Sequence, residues 1–308
     1  MTTPTAPPAP VTDVPAVIEE TAQLLVDHYV FPDVADRLVA RLRARLAKGV
    51  YDTDDPAELG ARVTADLQSE NGDRHLRLKF HPEPLGEGEG PVDLAELRRS
   101  FAASLGGVPR VQLLDGGAAV LELGPLLFPL DWSAEPLSAA FTLATRASTL
   151  ILDLRGTVGG DPDTVAFACS YLLEERTHLN TQYWRAGERY EQFWTLPHVP
   201  GARFGGVKPV YVLTSCRTFS GGEELAYDLQ QLERAVVVGE TTRGGAHPRD
   251  GWAVHPHLEA TVPVGRSINP VTGTNWEGTG VHPDVPCPAD TALDRALQLA
   301  AGASTPQS

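Results

Sequence analysis

An α/β fold is predicted by three observations. ASTLILDL (147–154), VKPVYVLTS (207–215) and RAVVVGE (234–240) are short, continuous apolar runs, the pattern of parallel strands covered on both faces. The first two pass through glycine- and hydroxyl-rich segments, RGTVGGDP and CRTFSGG, into helical patterns at 162–174 and EELAYDLQQL. Strands that alternate with helices indicate a sheet layered with helices. The first seventy residues carry a purely helical periodicity, which sets them apart as a small subdomain.

Taken in order, the chain begins MTTPTAPPAPVTDVP, with four prolines in its first ten residues. Residues 1–13 are expected to be a disordered, partly polyproline lead-in. Residues 14–31 have helix-like apolar spacing, and the Phe31-Pro32 step ends them. Residues 33–48 repeat Val34, Leu38, Leu42 and Leu46 on one stripe, and Gly49 stops that helix. Asp55-Pro56 opens a third helix over 55–69. These make a helical N-terminal subdomain, 14–71. RHLRLKF (74–80) alternates basic and apolar residues, as strands do. HPEPLGEGEG (81–90) is a loop, 91–105 a helix, 109–114 and 117–123 strands, and 135–147 a helix. The aromatic stretch 178–196 is a hairpin excursion. Residues 72–303 form the α/β core and 304–308 a tail.

Composition narrows the function. With 308 residues, 42% hydrophobic and 21% charged, the chain has enough apolar side chain for a packed core. Lys plus Arg number 25 against 40 Asp plus Glu, a formal charge of −15, so no nucleic-acid partner is expected. No apolar stretch is long enough to span a bilayer, so no membrane partner is expected. The opening lacks a basic n-region and an apolar h-region, so a cytoplasmic location is expected. Cys169, Cys216 and Cys287 show no CxxC spacing and are expected to be buried free thiols. No metal or cofactor is expected.

In open α/β sheets ligands bind beyond the C-terminal ends of the strands. RGTVGGDP, CRTFSGG and GETTRGGAHP occupy such positions and should form one rim. Ser220 is the candidate nucleophile, since a serine between strand and helix is presented where backbone N–H groups favour negative charge. Ser220-Gly-Gly-Glu223 also fits a capping box. A serine needs a base; His75, His247 and the His255/His257 pair are the sequence candidates. RGTVGGDP lacks the nucleotide-binding patterns, which leaves oxyanion binding as the use for its N–H groups. Arg74, Arg155 and Arg243 near the rim are candidate anion contacts.

The order ILDLRGTVGG, TSCRTFSGGEELAYDLQQLERAVVVGETT and NWEGTGVHPDV resembles the carboxy-terminal (tail-specific) processing serine peptidases. The likeness is closer to the branch without a lysine dyad, which includes the tricorn core and the repeats of interphotoreceptor retinoid-binding protein. HYVFPDVADRL and SENGDRHLRL also resemble that branch. The resemblance implies a ClpP/crotonase-like spiral core and a helical N-terminal subdomain. It implies Ser220 as nucleophile, His75 as base and Glu277 as its orienting carboxylate. It also implies an oxyanion hole from Gly221 with Gly159 or Gly160. The dyad lysine would fall at Gly245, so a Ser–Lys mechanism is not expected. Arg74 stands where the branch has a serine, and Thr157 where an asparagine is common. His247 and Arg74 are possible accessory residues, His247 as the alternative base. The usual PDZ domain has no room between Phe80 and the next strand.

The expected function is therefore a serine hydrolase, most simply a peptidase, acting on a peptide or small molecule. Two alternatives stand beside it. One is a non-catalytic member that binds a hydrophobic small molecule among Tyr183, Trp184, Phe193 and Trp194. The other is a lyase or cyclase on the same scaffold.

Overall fold

A computed structural model describes residues 8–85 and 94–303. Residues 1–7 of the expected lead-in, 86–90 of the expected loop, 91–93 of the expected helix and the tail 304–308 lie outside the described residues. In chain order the elements are α1 (Val14–His28), α2 (Pro32–Leu46), α3 (Pro56–Leu67), β1 (Arg77–Phe80), α4 (Leu94–Ala103), β2 (Arg110–Leu113), β3 (Ala118–Glu122), α5 (Leu130–Ala144), β4 (Thr149–Asp153), α6 (Pro162–Ser170), β5 (His178–Trp184), β6 (Arg189–Trp194), β7 (Val210–Thr214), α7 (Gly221–Gln231), β8 (Val236–Gly239), β9 (Arg249–His255), β10 (Leu258–Pro263), β11 (Gly265–Ile268), β12 (Val285–Pro286) and α8 (Ala292–Ala303).

The chain divides into two compact units. The first comprises Met1–Leu94, Tyr183–Tyr190 and His247–Arg266; the second comprises Ala95–Gln182, Glu191–Ala246 and Ser267–Ser308. β5, β6 and β11 form a three-stranded sheet in the order β11-β5-β6.

In the first unit each of the three helices carries a proline in its first turn, at the first position of α2 and α3 and the second of α1, where its missing N–H would have no partner. The Asp13 carboxylate caps α1 by accepting the Ala16 N–H at 2.9 Å, and Asp55 caps α3 through the Ala57 N–H at 2.8 Å. The stripe Val34, Leu38, Leu42 is buried as its spacing requires. It packs in one core with Ile18, Leu25, Leu59 and the inward residues of an antiparallel sheet, β1-β10-β9. Arg77 pairs with Thr261 and Leu78 with Ala260. The strand expected over 74–80 forms only from Arg77, because the Asp73 carboxylate takes the His75 N–H at 3.1 Å and bends the chain there.

The second unit is built on a six-stranded sheet, β12-β8-β7-β4-β3-β2, parallel except for the β2–β3 pair. Alternate residues face two different cores. Leu150, Leu152, Val212 and Val237 join the side chains of α5, α6 and α7, whereas Ile151, Tyr211, Leu213 and Val238 join Ala292 and Ala296 of α8. Burial on both faces is why these strands read as unbroken apolar runs. α5 starts at Leu130, five residues earlier than expected, and contains Pro136. A proline in an otherwise helical pattern made the later start the natural reading. β9 to β12 and α8 were not anticipated. Among the described residues no helix is long and apolar enough to cross a membrane. The expectation of buried thiols holds for Cys169 alone: Cys216 is exposed and Cys287 half-buried, and all three are unpaired.

Candidate active site

The rim expected from the sequence forms within the second unit. Ser220 stands at the N-cap of α7 with φ 52° and ψ −122°, a conformation costing a non-glycine residue about 1–3 kcal/mol. Its backbone is held from both sides: the Phe219 N–H donates to Thr157 O at 3.0 Å, and the Arg243 N–H donates to Thr218 O at 3.1 Å. The start of α7 presses onto the RGTVGG loop so closely that a Cβ on Gly221 would lie 2.9 Å from the Gly160 backbone. A Cβ on Gly159 would lie 3.7 Å from the Ser220 Cβ. Gly221 is the first residue of α7, so its N–H has no partner inside the helix. Among the described residues no backbone acceptor takes the Gly159 or Gly160 N–H.

Glu223 locks this arrangement. Its carboxylate accepts the N–H groups of Ser220 (2.8 Å), Gly244 (2.6 Å) and Gly245 (2.9 Å) and the Thr242 hydroxyl. Thr242 Oγ1 itself accepts the Val281 N–H at 2.7 Å, so its one proton is directed at Glu223. Burial pushes Glu223 up to about 7, and the four donors work against that shift. The capping box is therefore present through its glutamate. The Ser220 side chain in return faces the Glu223 N–H, so both halves of the box expected from the sequence are in place. Glu277 takes the next N–H of the same loop. Its Oε2 accepts the Ala246 N–H at 2.6 Å, and its own N–H is held by Asn275 Oδ1 at 2.9 Å. Trp276, buried beside it, donates Nε1–H to Gly245 O at 2.9 Å.

The candidate bases His75, His247, His255 and His257 belong to the first unit. His75 is buried beside Asp73. Burial pushes its imidazole down to about 3, against the Asp73 charge and helped by Arg77, His247 and Arg249. Asp73 has no exposed surface. Its Oδ1 accepts the His75 N–H, and its Oδ2 accepts from His247 Nδ1 at 2.7 Å and from Tyr29 Oη at 3.0 Å. Burial alone would raise the Asp73 pKa; the His247 hydrogen bond and charge, the His75 charge and the Tyr29 hydroxyl hold it below the usual range instead. The His247 ring also meets Phe31 edge-on at 5.4 Å. Arg74 is exposed, and its carbonyl accepts Arg77 Nε at 2.6 Å.

The structure thus brings Ser220, Gly221, Gly159 and Gly160 together in the second unit, where Glu277 also lies. It brings His75 and His247 together in the first through Asp73. One other expectation changes. Arg155 is engaged bidentately with Asp153 (2.8 and 2.6 Å) and donates to Ala289 O, so its charge is already matched. Arg243 lies over the Phe219 ring at 4.7 Å. Of the aromatic excursion, Trp194 is covered by His178 at 4.6 Å and Arg176 at 4.3 Å, Phe193 is buried, and Trp184 lies beneath Arg189 at 5.4 Å. These rings pack against their own neighbours. Asp73 and Thr242 were missed. The Asp-x-His spacing of Asp73 and His75, an Asx-turn signature, was the available signal for the first; nothing local marks Thr242.

A family profile for peptidase family S41 matches residues 132–287, half of the chain. A second profile, for the N-terminal domain of S41 peptidases in eukaryotic IRBP, matches residues 11–96. Among solved structures, the chain is similar to a presumed S41 protease of Bacteroides fragilis (20% identity, TM-score 0.55, 65% of this chain and 59% of that one). It is similar to a presumed peptidase of Parabacteroides merdae (18%, TM-score 0.63, 93% and 96%). It is also similar to a photosystem II D1 C-terminal processing protease (17%, TM-score 0.52, 91% and 95%). The chain thus spans about three-fifths of the length of the Bacteroides fragilis protein. At these identities the structural likeness is one of fold: an α/β core with a helical N-terminal region. With that fold shared and half of the chain matched by the family profile, the chain belongs to peptidase family S41.

Proposed function

We propose that the protein is a serine peptidase with Ser220 as nucleophile, His75 as base and Glu277 as the carboxylate that orients the base. The Gly221 N–H and an N–H of Gly159 or Gly160 would hold the oxyanion. The observation that carries this reading is the Ser220 backbone. A non-glycine residue at φ 52°, ψ −122°, between a strand and a helix N-terminus, has the form of a nucleophile turn. Nothing in strand or helix geometry requires the strain. Burial holds His75 neutral, as a proton acceptor must be, but a value of about 3 lies below that of an efficient base, so the role requires Glu277 to stabilise the imidazolium as it forms. Ser220 Oγ would attack the substrate carbonyl as its proton passes to His75. The oxyanion would collapse, the leaving amine would take that proton, and water would cleave the acyl-enzyme by the same route.

The substrate is proposed to be a peptide. The proposed working compartment is the cytoplasm, a reading supported by three unpaired cysteines, one of them exposed.

A second base reading is favoured by one observation: His247 donates Nδ1–H to the buried Asp73 at 2.7 Å, the orienter–base pairing of a triad. The test is labelling by a fluorophosphonate probe together with peptide and ester turnover. Ser220→Ala should abolish labelling and lower kcat by about 10⁴-fold or more. His75→Gln should approach that loss while His247→Gln retains most of the rate; the reverse order would transfer the base to His247. Wild-type protein that never labels and turns over no peptide or ester would end the hydrolase reading.

A further inference from the structure

A groove of ≈ 450 Å³ on the first unit is lined by Phe31, Tyr183, Tyr190 and Arg266, with Asp33 and Glu188 also on its walls. The Arg266 guanidinium is held by two rings, 5.8 Å from the Phe31 centroid and 5.4 Å from that of Tyr183. Among the described residues it makes no hydrogen bond or ion pair. Its Nε is enclosed without a partner, while its Nη groups are not enclosed. This sets it apart from Arg37, Arg41, Arg43, Arg45, Arg62 and Arg249 of its own unit, which each face a carboxylate, and from Arg185, which donates to the Tyr29 and Val26 carbonyls.

A guanidinium fixed by stacking with its fork open is preorganised for a planar, two-oxygen anion. Beside it, Tyr183 and Tyr190 offer an apolar platform, with centroids 5.1 Å apart and Tyr190 62% exposed. The carboxylates restrict the charge. Asp33 is engaged by Arg37 at 3.2 Å, whereas Glu188, exposed on its turn, would repel a second negative charge. We propose that this groove binds an organic monocarboxylate with an apolar or aromatic body, its carboxylate on Arg266 and its body on the tyrosine pair. The site is independent of the hydrolase reading, because its recognition requires none of the proposed catalytic groups. The carboxylate could be supplied by a free acid or by the end of a peptide.

Calorimetric titration of the full chain with 3-phenylpropionate tests it, with 3-phenylpropanol as the neutral counterpart. The acid should bind and the alcohol should not. Arg266→Gln should weaken binding about tenfold or more, and Arg266→Lys should weaken it less. Glu188→Gln should tighten it about twofold. Tyr190→Ala should weaken it, and since both of these residues are exposed, these two variants keep the test informative if the arginine variants fail to fold. N-acetylphenylalanine and its amide distinguish the sources. Tighter binding of N-acetylphenylalanine than of 3-phenylpropionate, lost in its amide, assigns a peptide end; the reverse order assigns a free acid. Equal binding of acid and alcohol, or acid binding untouched by Arg266→Gln and Glu188→Gln, would overturn the proposal.

Discussion

Asp73 in the first unit and Asp228 in the second are both completely enclosed, and their carboxyl groups are shifted in opposite directions. Asp73 faces His247, Tyr29 and the His75 N–H, and these partners hold it below the usual carboxylate range although burial works to raise it. Among the described residues Asp228 receives one amide hydrogen bond, from Asn269 at 3.1 Å, and its Oδ2 has no partner. Burial and the charge of Glu224 push it well above the usual range. Glu224, one turn back on α7, is itself pushed up to about 7 by burial. Equal burial thus gives an ionised group where a protonatable base and two donors converge, and a protonated one where a like charge is the neighbour.

Substitution by asparagine separates the two most sharply. Asp73→Asn removes a buried charge that its partners are arranged around, and should cost about 3–5 kcal/mol in urea unfolding at neutral pH. A cost below about 1 kcal/mol would refute the ionised assignment. His247→Gln leaves the same carboxylate enclosed with one partner fewer, and should cost about 2–4 kcal/mol. Because the two changes share one interaction, the double variant should fall well short of their sum.

The pH dependence should divide in the same way. A depressed carboxyl stabilises the fold above its unfolded pKa, and that stability is lost as pH falls through the folded value. The Asp73→Asn penalty should therefore shrink below about pH 3.8. Asp228 is raised, so the native state holds its proton where the unfolded chain has lost it, and that contribution falls as pH rises. Wild type should lose ground to Asp228→Asn on going alkaline. His75, lowered to about 3 from 6.5, stays neutral while the unfolded chain takes a proton. The advantage of wild type over His75→Gln should fall by about 1.4 kcal/mol per pH unit from pH 6.5 towards pH 3. A flat difference across that window would show that the imidazole titrates normally. Smallest of all, below about pH 3.8, where folded and unfolded chains both hold the Asp228 proton, Asp228→Asn should change stability by under about 1 kcal/mol, since an amide resembles the protonated acid; at neutral pH the variant should be the more stable of the two.

Much of the second unit was legible because its signals are local. Val, Leu and Ile runs identify β4, β7 and β8, and the glycine-rich segments after them identify the rim that receives Ser220. The hairpin of β5 and β6 was legible from its aromatic alternation. β9 to β11 were not: LEATVP of β10 mixes polar with apolar residues although all six are buried, so no continuous apolar run marks it. Arg155 looked available as an anion contact, since Asp153, two residues away, carries no sign in sequence that it closes a bidentate pair.

The sequence alone determined the helical start, the order of strands and helices from β4 to β8, and the presentation of a serine at the head of α7. Each depends on periodicity or on turn chemistry within a few residues. Only the tertiary structure decided which charges are matched. Asp73 meets His247 across 174 positions of chain, Glu223 gathers N–H groups from a loop about twenty residues on, and Arg266 meets two aromatic rings and, among the described residues, pairs with no carboxylate. Whether a buried charge is stabilised or costly depends on atoms within a few ångströms of it, and folding assembles those atoms from distant parts of the chain.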